Sequence, residues 1–497
     1  MLNTNLYNVL VVIAASFIAL MVVRWVYFKI LKIAKDKNLV DNPDTRKLQN
    51  TPVPVMGGVA IFLGVVVGVL AGAALSTGLG MGSMAVLLPV ILAMMVMLYI
   101  GAMDDIIGLS PGSRFLIEFI TLLGLIFASG NCVDSLHGLW GIEIISWWIA
   151  VPLTLVGGLG IVNAVNMIDG VNGLSSGLCI SCCLIYGIVF SIAGDLANAL
   201  LVFTMAAALL PFLLHNVFGK RSKMFIGDAG TMVMGVLLTW CTISILCGDT
   251  EEAIRLHAPN ANLIAMALAV LSVPVFDTLR VMFMRMLKHK SPFRPDKTHL
   301  HHIFINVGVS HAVTSLVEIG INLLIVGIWA LSVKLNVSID GQLYIIIAAS
   351  MLLVWGTYYF LRSQVKHHTE FMHWLAHFSI ATQLGDKNWW QKVQKLLDRR
   401  EITELKKTKQ QKLNGALHIE FDPDPSNYKE QDRRKVLEFM KGKAEVYVVD
   451  IKKNSNAEQL RVDALLSEGE LEGYIKVITR SSNGVPLIVA LDEDVTF

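Results

Sequence analysis

Charge is sparse in this chain. Only 16% of its 497 residues are Asp, Glu, Lys or Arg, whereas 54% are hydrophobic, and the mean hydropathy is +0.59. That is far too apolar for a soluble chain of this length and indicates a membrane protein. The sequence has no GxxxxGK[ST] phosphate loop, so a P-loop nucleotidase is unsupported; GGLGIVN near Gly158 is a near miss of a dinucleotide fingerprint and lies inside an apolar run. Cysteine is scarce: Cys132, Cys179, Cys182, Cys183, Cys241 and Cys247 fall mostly in apolar runs, where a small thiol packs. Cys179 and Cys182 form a CxxC with no further ligands nearby, which reads as packing, not as a metal or redox motif. No basic residue precedes the first apolar run, and Arg24, Lys29 and Lys32 follow it, the reverse of a cleaved signal peptide. The N-terminus is therefore expected outside.

What is there is a series of apolar runs long enough to cross a hydrocarbon core. They lie at about Asn8–Leu31, Met56–Leu75, Met84–Ala102, Phe115–Ser129, Ile145–Val162, Leu174–Ala193, Leu196–Leu214, Ala229–Cys247, Ala261–Phe283, Ser315–Leu335 and Leu343–Leu361. The expected fold is an all-α polytopic membrane protein of about eleven spans with a small α/β domain after them. With the N-terminus outside, basic residues should collect after the odd-numbered spans. They do: Lys29, Lys32, Lys35, Lys37, Arg46, Lys47, Arg114, Lys220, Arg221, Lys223, Arg285, Lys288, Lys290, Arg294 and Lys297 fall there, against Arg255 and Lys334 on the other side.

Four polar motifs fall on that same basic side. Span 3 ends in GAMDDIIGLSPGSR, span 5 in GIVNAVNMIDGVNGL, the loop after span 7 reads HNVFGKRSKMFIGDAGTM, and the loop after span 9 reads SPFRPDKTHLHHIF. Carboxylates at the ends of apolar helices are costly to desolvate and point to function, above all when they converge. Each has a competing structural reading: Asp104 as a turn cap, Asp228 as an N-cap, and Asn163, Asn166 and Asn172 as partners for interrupted backbone. Carboxylates beside carboxamides, without a thiolate cluster, suit a hard cation such as Mg²⁺ bound partly through its substrate's phosphates. Basic side chains on the same face suit the remaining phosphate charge. Zinc held by His299, His301 and His302 is a weaker alternative, because HxHH lacks the i, i+4 spacing of HExxH.

Taken together, DNPDTRKLQNTPVPVMGG, MDDIIGLS, NAVNMIDGVNGL, FIGDAGT and RPDKTHLHH resemble the polyprenyl-phosphate N-acetylhexosamine-1-phosphate transferases, in particular the WecA-type branch of glycosyltransferase family 4, over about Val40 to Ile305. The resemblance implies transfer of a sugar 1-phosphate, most simply GlcNAc-1-phosphate, from a UDP-N-acetylhexosamine to undecaprenyl phosphate, with release of UMP. Asp228 is then the principal Mg²⁺ ligand, Asn166 lies close to the metal and pyrophosphate, and Asp104 is the candidate base that keeps the lipid phosphate ionised. Asp105 and Asp169 complete the acidic site, Asp105 through the metal and Asp169 by ordering nucleotide and lysine contacts. Phe225 is implied to stack on uracil, and Arg294, Lys297, His299, His301 and His302 to close over pyrophosphate and sugar. Lys47, Arg114, Asn163, Asn172 and Asn216 are carried over as substrate contacts, and Mn²⁺ is left open as a substitute for Mg²⁺. Three positions depart from the family pattern: Asn172 stands where most bacterial relatives have Asp, Gly112 where a Lys or Arg is usual, and Gln49 in place of a common His.

From Arg362 the chain turns polar. Residues 362–412 form a basic, aromatic stretch with Trp374, Trp389 and Trp390, expected as an amphipathic segment on the membrane. Residues 413–497 alternate GALHIEFD, AEVYVVDI, YIKVITRS and VPLIVALDED with two helical segments, expected as a cytoplasmic α/β extension to the membrane domain of residues 1–361. A protein partner for the extension and a homodimer stay open; no nucleic-acid partner is expected. Two other classes compete. An ion-coupled transporter would hold its ionisable groups near the bilayer midplane, where Asp277 and Arg280 are better read as an i, i+3 ion pair. A membrane anchor would need none of these motifs. Within the enzyme class the runner-up donor is UDP-MurNAc-pentapeptide, against which HLHHIF argues, and other UDP-N-acetylhexosamines such as 6-deoxy sugars stay open. The expected setting is the inner membrane of a bacterium, with the active site on its cytoplasmic side.

Overall fold

The computed structural model describes residues 2–41, 52–76, 85–292, 298–367, 371, 378, 384–403, 417–418, 428–480, 486–492 and 495–496. The chain divides into two compact units, Met1–Asp398 and Arg399–Phe497.

Among the described residues the first unit is mainly helical. Helices α1 (Leu2–Asp36), α2 (Gly57–Leu75), α3 (Leu87–Ile107), α4 (Pro111–Ser129), α5 (Trp147–Met167), α6 (Leu174–Ala193), α7 (Leu196–Phe218) and α8 (Gly227–Leu246) follow one another. After a short α9 (Gly248–His257) come α10 (Leu263–Val270), α11 (Ser272–Leu287), α12 (Leu300–Asn306), α13 (His311–Lys334) and α14 (Ile339–Ser350), the last running through a π-helical turn into α15 (Thr357–His367). A final helix, α16 (Asn388–Leu397), lies beyond them. Among the described residues ten helices are long and apolar enough to cross a membrane, and the bent pair α10–α11 makes eleven. This is a multi-pass membrane protein: ten of the runs read from hydropathy are recovered as continuous helical spans and the ninth as a bent pair.

Helix α8 is the hub. It is buried nearly all round, and it meets α2 and α3 backbone to backbone: a Cβ on Gly58 would lie 2.3 Å from Gly230 N, and one on Gly101 2.4 Å from Ala229 Cα. Small residues allow this approach where lipid provides no hydrophobic drive between helices. Outward-facing Leu70, Leu88, Val156 and Leu352 are exposed, as lipid-facing side chains should be.

The ninth span is broken. Helices α10 and α11 meet at 78°, and Pro274 has no N–H to give to Val270. That carbonyl instead accepts from Asn322 Nδ2 at 3.0 Å and from Cys182 Sγ at 3.2 Å, while Asn322 Oδ1 accepts from Val273 N and Ser272 Oγ. The open backbone is thus satisfied inside protein, the condition for a break at this depth. All six cysteines are buried and free, and Cys182 serves this packing.

Two antiparallel ribbons decorate the bundle. Strands β1 (Val40–Asp41) and β2 (Val53–Pro54) pair Val40 with Pro54, and β3 (Ser135–Leu139) pairs with β4 (Ile142–Ile144).

In the second unit, β5 (Leu417–His418), α17 (Tyr428–Met440), β6 (Val446–Tyr447), α18 (Val448–Asn454), α19 (Gln459–Glu472), β7 (Ile475–Arg480), β8 (Pro486–Leu491) and β9 (Val495–Thr496) form a small α/β fold. Its sheet runs β6-β8-β7, packed on Val436, Leu437, Ile451, Val462 and Leu466. The stretch AEVYVVDI, expected as one strand, is strand only at Val446–Tyr447 and helix from Val448. Val448 and Ile451, three apart, both face the core, a helical spacing that a four-residue apolar run conceals.

Candidate active site

The four polar motifs converge on one cavity of about 1190 Å³ at one end of the bundle. Its wall takes Asp104 and Asp105 from α3, Asp169 and Asn172 from the turn after α5, Lys220, Lys223 and Phe225 from the loop after α7, Asp228 from α8, and His299, His301 and His302 at α12.

The acidic pair divides its work. Asp105 turns onto the start of α8: Oδ1 accepts from Asp228 N at 2.9 Å and Oδ2 from Ala229 N at 3.2 Å. A carboxylate there answers the unpaired N–H groups and positive end of the helix, and it fixes where Asp228 begins. Asp105, expected at the metal, lines the cavity with each of its oxygens accepting one main-chain N–H. Asp104 Oδ1 accepts from Leu109 N at 2.7 Å, and its Oδ2 lies 3.2 Å from Arg114 Nη1. The same nitrogen stands 3.7 Å from Asp228 Oδ2, so one guanidinium holds two cavity carboxylates together.

Arg114 also has a partner that the motif reading passed over. Glu118, fully buried on α4, accepts from Arg114 Nε at 2.9 Å and from Asn163 Nδ2 at 2.7 Å. Asn163 spends its other donor on Leu159 O and does not line the cavity, so its amide holds Glu118. The Arg114 and Glu118 spacing of i, i+4 was the available signal.

Asn166 Nδ2 donates to Asp228 Oδ1 at 2.6 Å and to Thr231 Oγ1 at 2.7 Å. Asp169 accepts from Ser175 Oγ at 2.5 Å, and burial, with smaller contributions from Asp228 and Asp41, pushes its carboxyl up to about 6. Asn216 is a brace: Oδ1 accepts from Gly173 N and Nδ2 donates to Met224 O, tying together the loops that carry Asn172 and Phe225. Phe225 is fixed through its backbone, donating to Pro54 O and accepting from Gly57 N, and Lys223 Nζ sits 5.3 Å from its ring centroid. Asn172 lines the cavity while its carbonyl accepts from Ser315 Oγ at 2.8 Å.

The three histidines are not equivalent. His299 Nδ1 lies 2.8 Å from Asp277 Oδ2, and Asp277 also takes Arg280 Nη2 at 2.7 Å and Leu300 N at 3.2 Å. The Asp277–Arg280 pair is therefore the anchor of this loop. His301 stacks on His299 at 5.6 Å and packs on Gly170, where a Cβ would meet its Nε2 at 2.5 Å. Burial, then the neighbouring imidazoles of His302 and His299, hold His301 well below the usual imidazole range, so it is neutral. His302 lines the cavity beside it. Lys47, Arg294 and Lys297 lie outside the described residues, as does Gln49.

Among the described residues no three His, Cys, Asp or Glu side chains close on a single point as a ready-made metal cage. The donor set is nonetheless one that Mg²⁺ accepts, since that ion takes one or two carboxylates and completes its shell with water and substrate phosphate. Asp228, about one-third exposed, and Asp104 are two of the four carboxylates that line the cavity, with Asp105 and Asp169.

Residues 87–246 match the profile of glycosyl transferase family 4. The chain is 30% identical over 281 residues to "Undecaprenyl-phosphate alpha-N-acetylglucosaminyl 1-phosphate transferase" of Yersinia pestis, covering 56% of this chain and 72% of that one. It is 29% identical over 287 residues to the protein of the same name from Escherichia coli O157:H7, with the same coverage. A third relative, "Probable undecaprenyl-phosphate N-acetylglucosaminyl 1-phosphate transferase" of Bacillus subtilis (strain 168), is 29% identical over 318 residues, 64% of this chain and 83% of that one. The matched region runs from the helix bearing the acidic pair through the helix bearing Asp228, and the chain belongs to glycosyl transferase family 4.

Proposed function

We propose that this protein transfers N-acetylglucosamine 1-phosphate from UDP-GlcNAc to undecaprenyl phosphate, releasing UMP and starting a lipid-linked envelope glycan at the cytoplasmic face of a bacterial inner membrane. The observation that carries this is the clasp of Asp104 and Asp228 by Arg114 in a cavity walled by Lys223, Phe225 and the histidine loop. Three relatives are named as undecaprenyl-phosphate N-acetylglucosaminyl 1-phosphate transferases, one of them as probable, and the basic loops collect on the side that holds the cavity.

In the reaction an oxygen of the lipid phosphate attacks the sugar-bearing phosphorus of the donor, and the bond from that phosphorus to the bridging oxygen breaks, leaving UMP. One phosphoanhydride replaces another, so the protein's task is positioning and charge neutralisation. Phe225 offers a fixed ring for the base, with Lys223 beside it for phosphate charge. Asp104 faces the attacking phosphate and takes its residual proton; Arg114 keeps the carboxylates oriented. His301, being neutral, offers a hydrogen bond to a sugar or phosphate oxygen without bringing charge. Mg²⁺, held by Asp228 with Asp104 and Asn166 close by, would neutralise the pyrophosphate and the departing UMP.

A panel of UDP-sugars labelled in the sugar, presented to the purified protein with undecaprenyl phosphate and Mg²⁺, tests the donor. UDP-GlcNAc should give solvent-extractable label at least tenfold above UDP-MurNAc-pentapeptide. Equal or greater label from the pentapeptide donor would overturn the assignment.

A further inference from the structure

Asp398 closes α16, at a place where a carboxylate is disfavoured by the carbonyl end of the helix. It is nevertheless buried. The reason is the loop it meets. Its Oδ1 accepts from Ser222 N at 2.9 Å and Ser222 Oγ at 2.7 Å, and its Oδ2 from Arg221 N at 3.1 Å and Lys220 N at 3.2 Å. Three successive main-chain N–H groups and a hydroxyl thus converge on one anion, a nest of the kind that backbone forms around phosphate or carboxylate. Withdrawal from water works against ionisation of Asp398, but the Ser222 hydroxyl and the three N–H groups outweigh it and hold the carboxyl below the usual range.

That loop joins α7 to α8 and carries Lys223 and Phe225 to the cavity five and three residues before Asp228. Ser222 Oγ also lies 2.9 Å from His215 Nδ1, and Phe225 bonds through its backbone to Pro54 and Gly57. Further ties come from the body of the bundle: Tyr27 Oη donates to Ser222 O at 2.7 Å, Lys35 Nζ to Arg221 O at 3.0 Å and Asn216 Nδ2 to Met224 O at 3.0 Å. Those three groups hold carbonyls; Asp398 takes the N–H side of residues 220–222. Helix α16 is itself seated on the end of α7, with the Trp390 ring 4.4 Å and the Trp389 ring 6.3 Å from that of Phe218, and Gln394 reaches the cavity wall. Asp398 lies well outside the region matched by the family profile, and the second compact unit begins at the next residue.

We propose that Asp398 is a positioning residue for the transfer reaction: by gathering the N–H groups of Lys220, Arg221 and Ser222 it sets the loop that presents Lys223 and Phe225 to the donor, so donor affinity depends on the segment after the bundle.

The test uses the full chain in lipid nanodiscs, comparing wild type, Asp398→Ala, Asp398→Asn and, as a control on the exposed side of α16, Lys392→Ala. Hydrogen exchange at residues 220–222 and steady-state kinetics in UDP-GlcNAc are read on each. Asp398→Ala should exchange these amides at least tenfold faster and raise the donor KM about tenfold with kcat within twofold, since a loop populated only part of the time lowers apparent affinity in proportion. Asp398→Asn keeps one accepting oxygen and should fall between, and Lys392→Ala should match wild type. Unchanged exchange in both Asp398 variants, or a fall in kcat at constant KM, would overturn the proposal; the latter is what a merely structural role gives. The kinetic arm rests on the transferase reading above. The exchange arm does not, so a wild type that transfers nothing would indict that reading alone.

Discussion

Asp105 caps the helix on which Asp228 sits, its Oδ1 2.9 Å from the backbone nitrogen of Asp228. One carboxylate of the adjacent pair thereby caps a helix at the cavity wall, and the other, Asp104, meets Arg114 there. Two residues that look alike in sequence have different work because α3 ends against the first turn of α8.

Asp105→Asn removes one accepting oxygen and turns an NH₂ towards an N–H group of Asp228 or Ala229. The loss of cap should cost about 1–2 kcal/mol, seen as a lower thermal midpoint, and transfer should fall at least tenfold. Asp228→Asn should instead lose transfer with no fall in the midpoint. The two midpoints, measured side by side in detergent, separate capping from chemistry.

Arg114→Ala leaves the buried Glu118 carboxylate without its ion pair, a loss of about 3–5 kcal/mol. Arg114→Met combined with Glu118→Gln should restore most of that stability without restoring transfer, because Asp104 and Asp228 still lack their shared cation. Recovery of turnover along with stability would mean that Arg114 matters only to the fold.

Asp169 binds a proton more tightly in the folded protein than in the unfolded chain, with its carboxyl at about 6 against 3.8. For a raised carboxyl the native state gains stability at low pH, loses it as pH rises from 3.8 towards 6, and is level above. Asp169→Asn, which keeps the acceptor for Ser175 Oγ, should therefore raise the metal-free thermal midpoint at pH 8 and leave it unchanged at pH 3.5. A midpoint shift of equal size at both pH values would contradict burial as the cause.

Gly101→Ala would put a methyl 2.4 Å from the Ala229 backbone, where nothing can yield without displacing the start of α8. Folded yield and transfer should both collapse. Gly112→Ala, Gly124→Ala and Gly160→Ala meet nothing within 4 Å and should be tolerated. Size-exclusion profiles of the four variants decide the matter.

Hydropathy alone made the spans legible, because each must hide its own backbone in an apolar sheath. The break at Leu271 was not: it depends on Asn322 of α13, about fifty residues along the chain, reaching Val270 and Val273. At the site, Asp104, Asp228, Asn172, Phe225 and the histidines were readable as motifs, and the structure gathers them round one cavity. The division of labour was not readable. Asn163 and Asn216 carry the same amide as Asn166, yet the first holds Glu118 and the second braces two loops. His299, grouped with His301 and His302 by spacing, is fastened to Asp277 twenty-two positions earlier. Glu118 and Asp398 stand outside every motif and are found only through what they touch.

In the proposed reaction Asp228 anchors metal-dependent phosphoryl exchange in this cavity. The direct measurement is UMP release alongside lipid-linked sugar, from UDP-GlcNAc and undecaprenyl phosphate, with wild type and Asp228→Ala in nanodiscs, with Mg²⁺ and after chelation. One UMP per lipid-linked sugar, abolished by chelation and by Asp228→Ala in protein of unchanged midpoint, is the predicted result. Equal UMP release from Asp228→Ala, or no exchange by folded wild type, would contradict it.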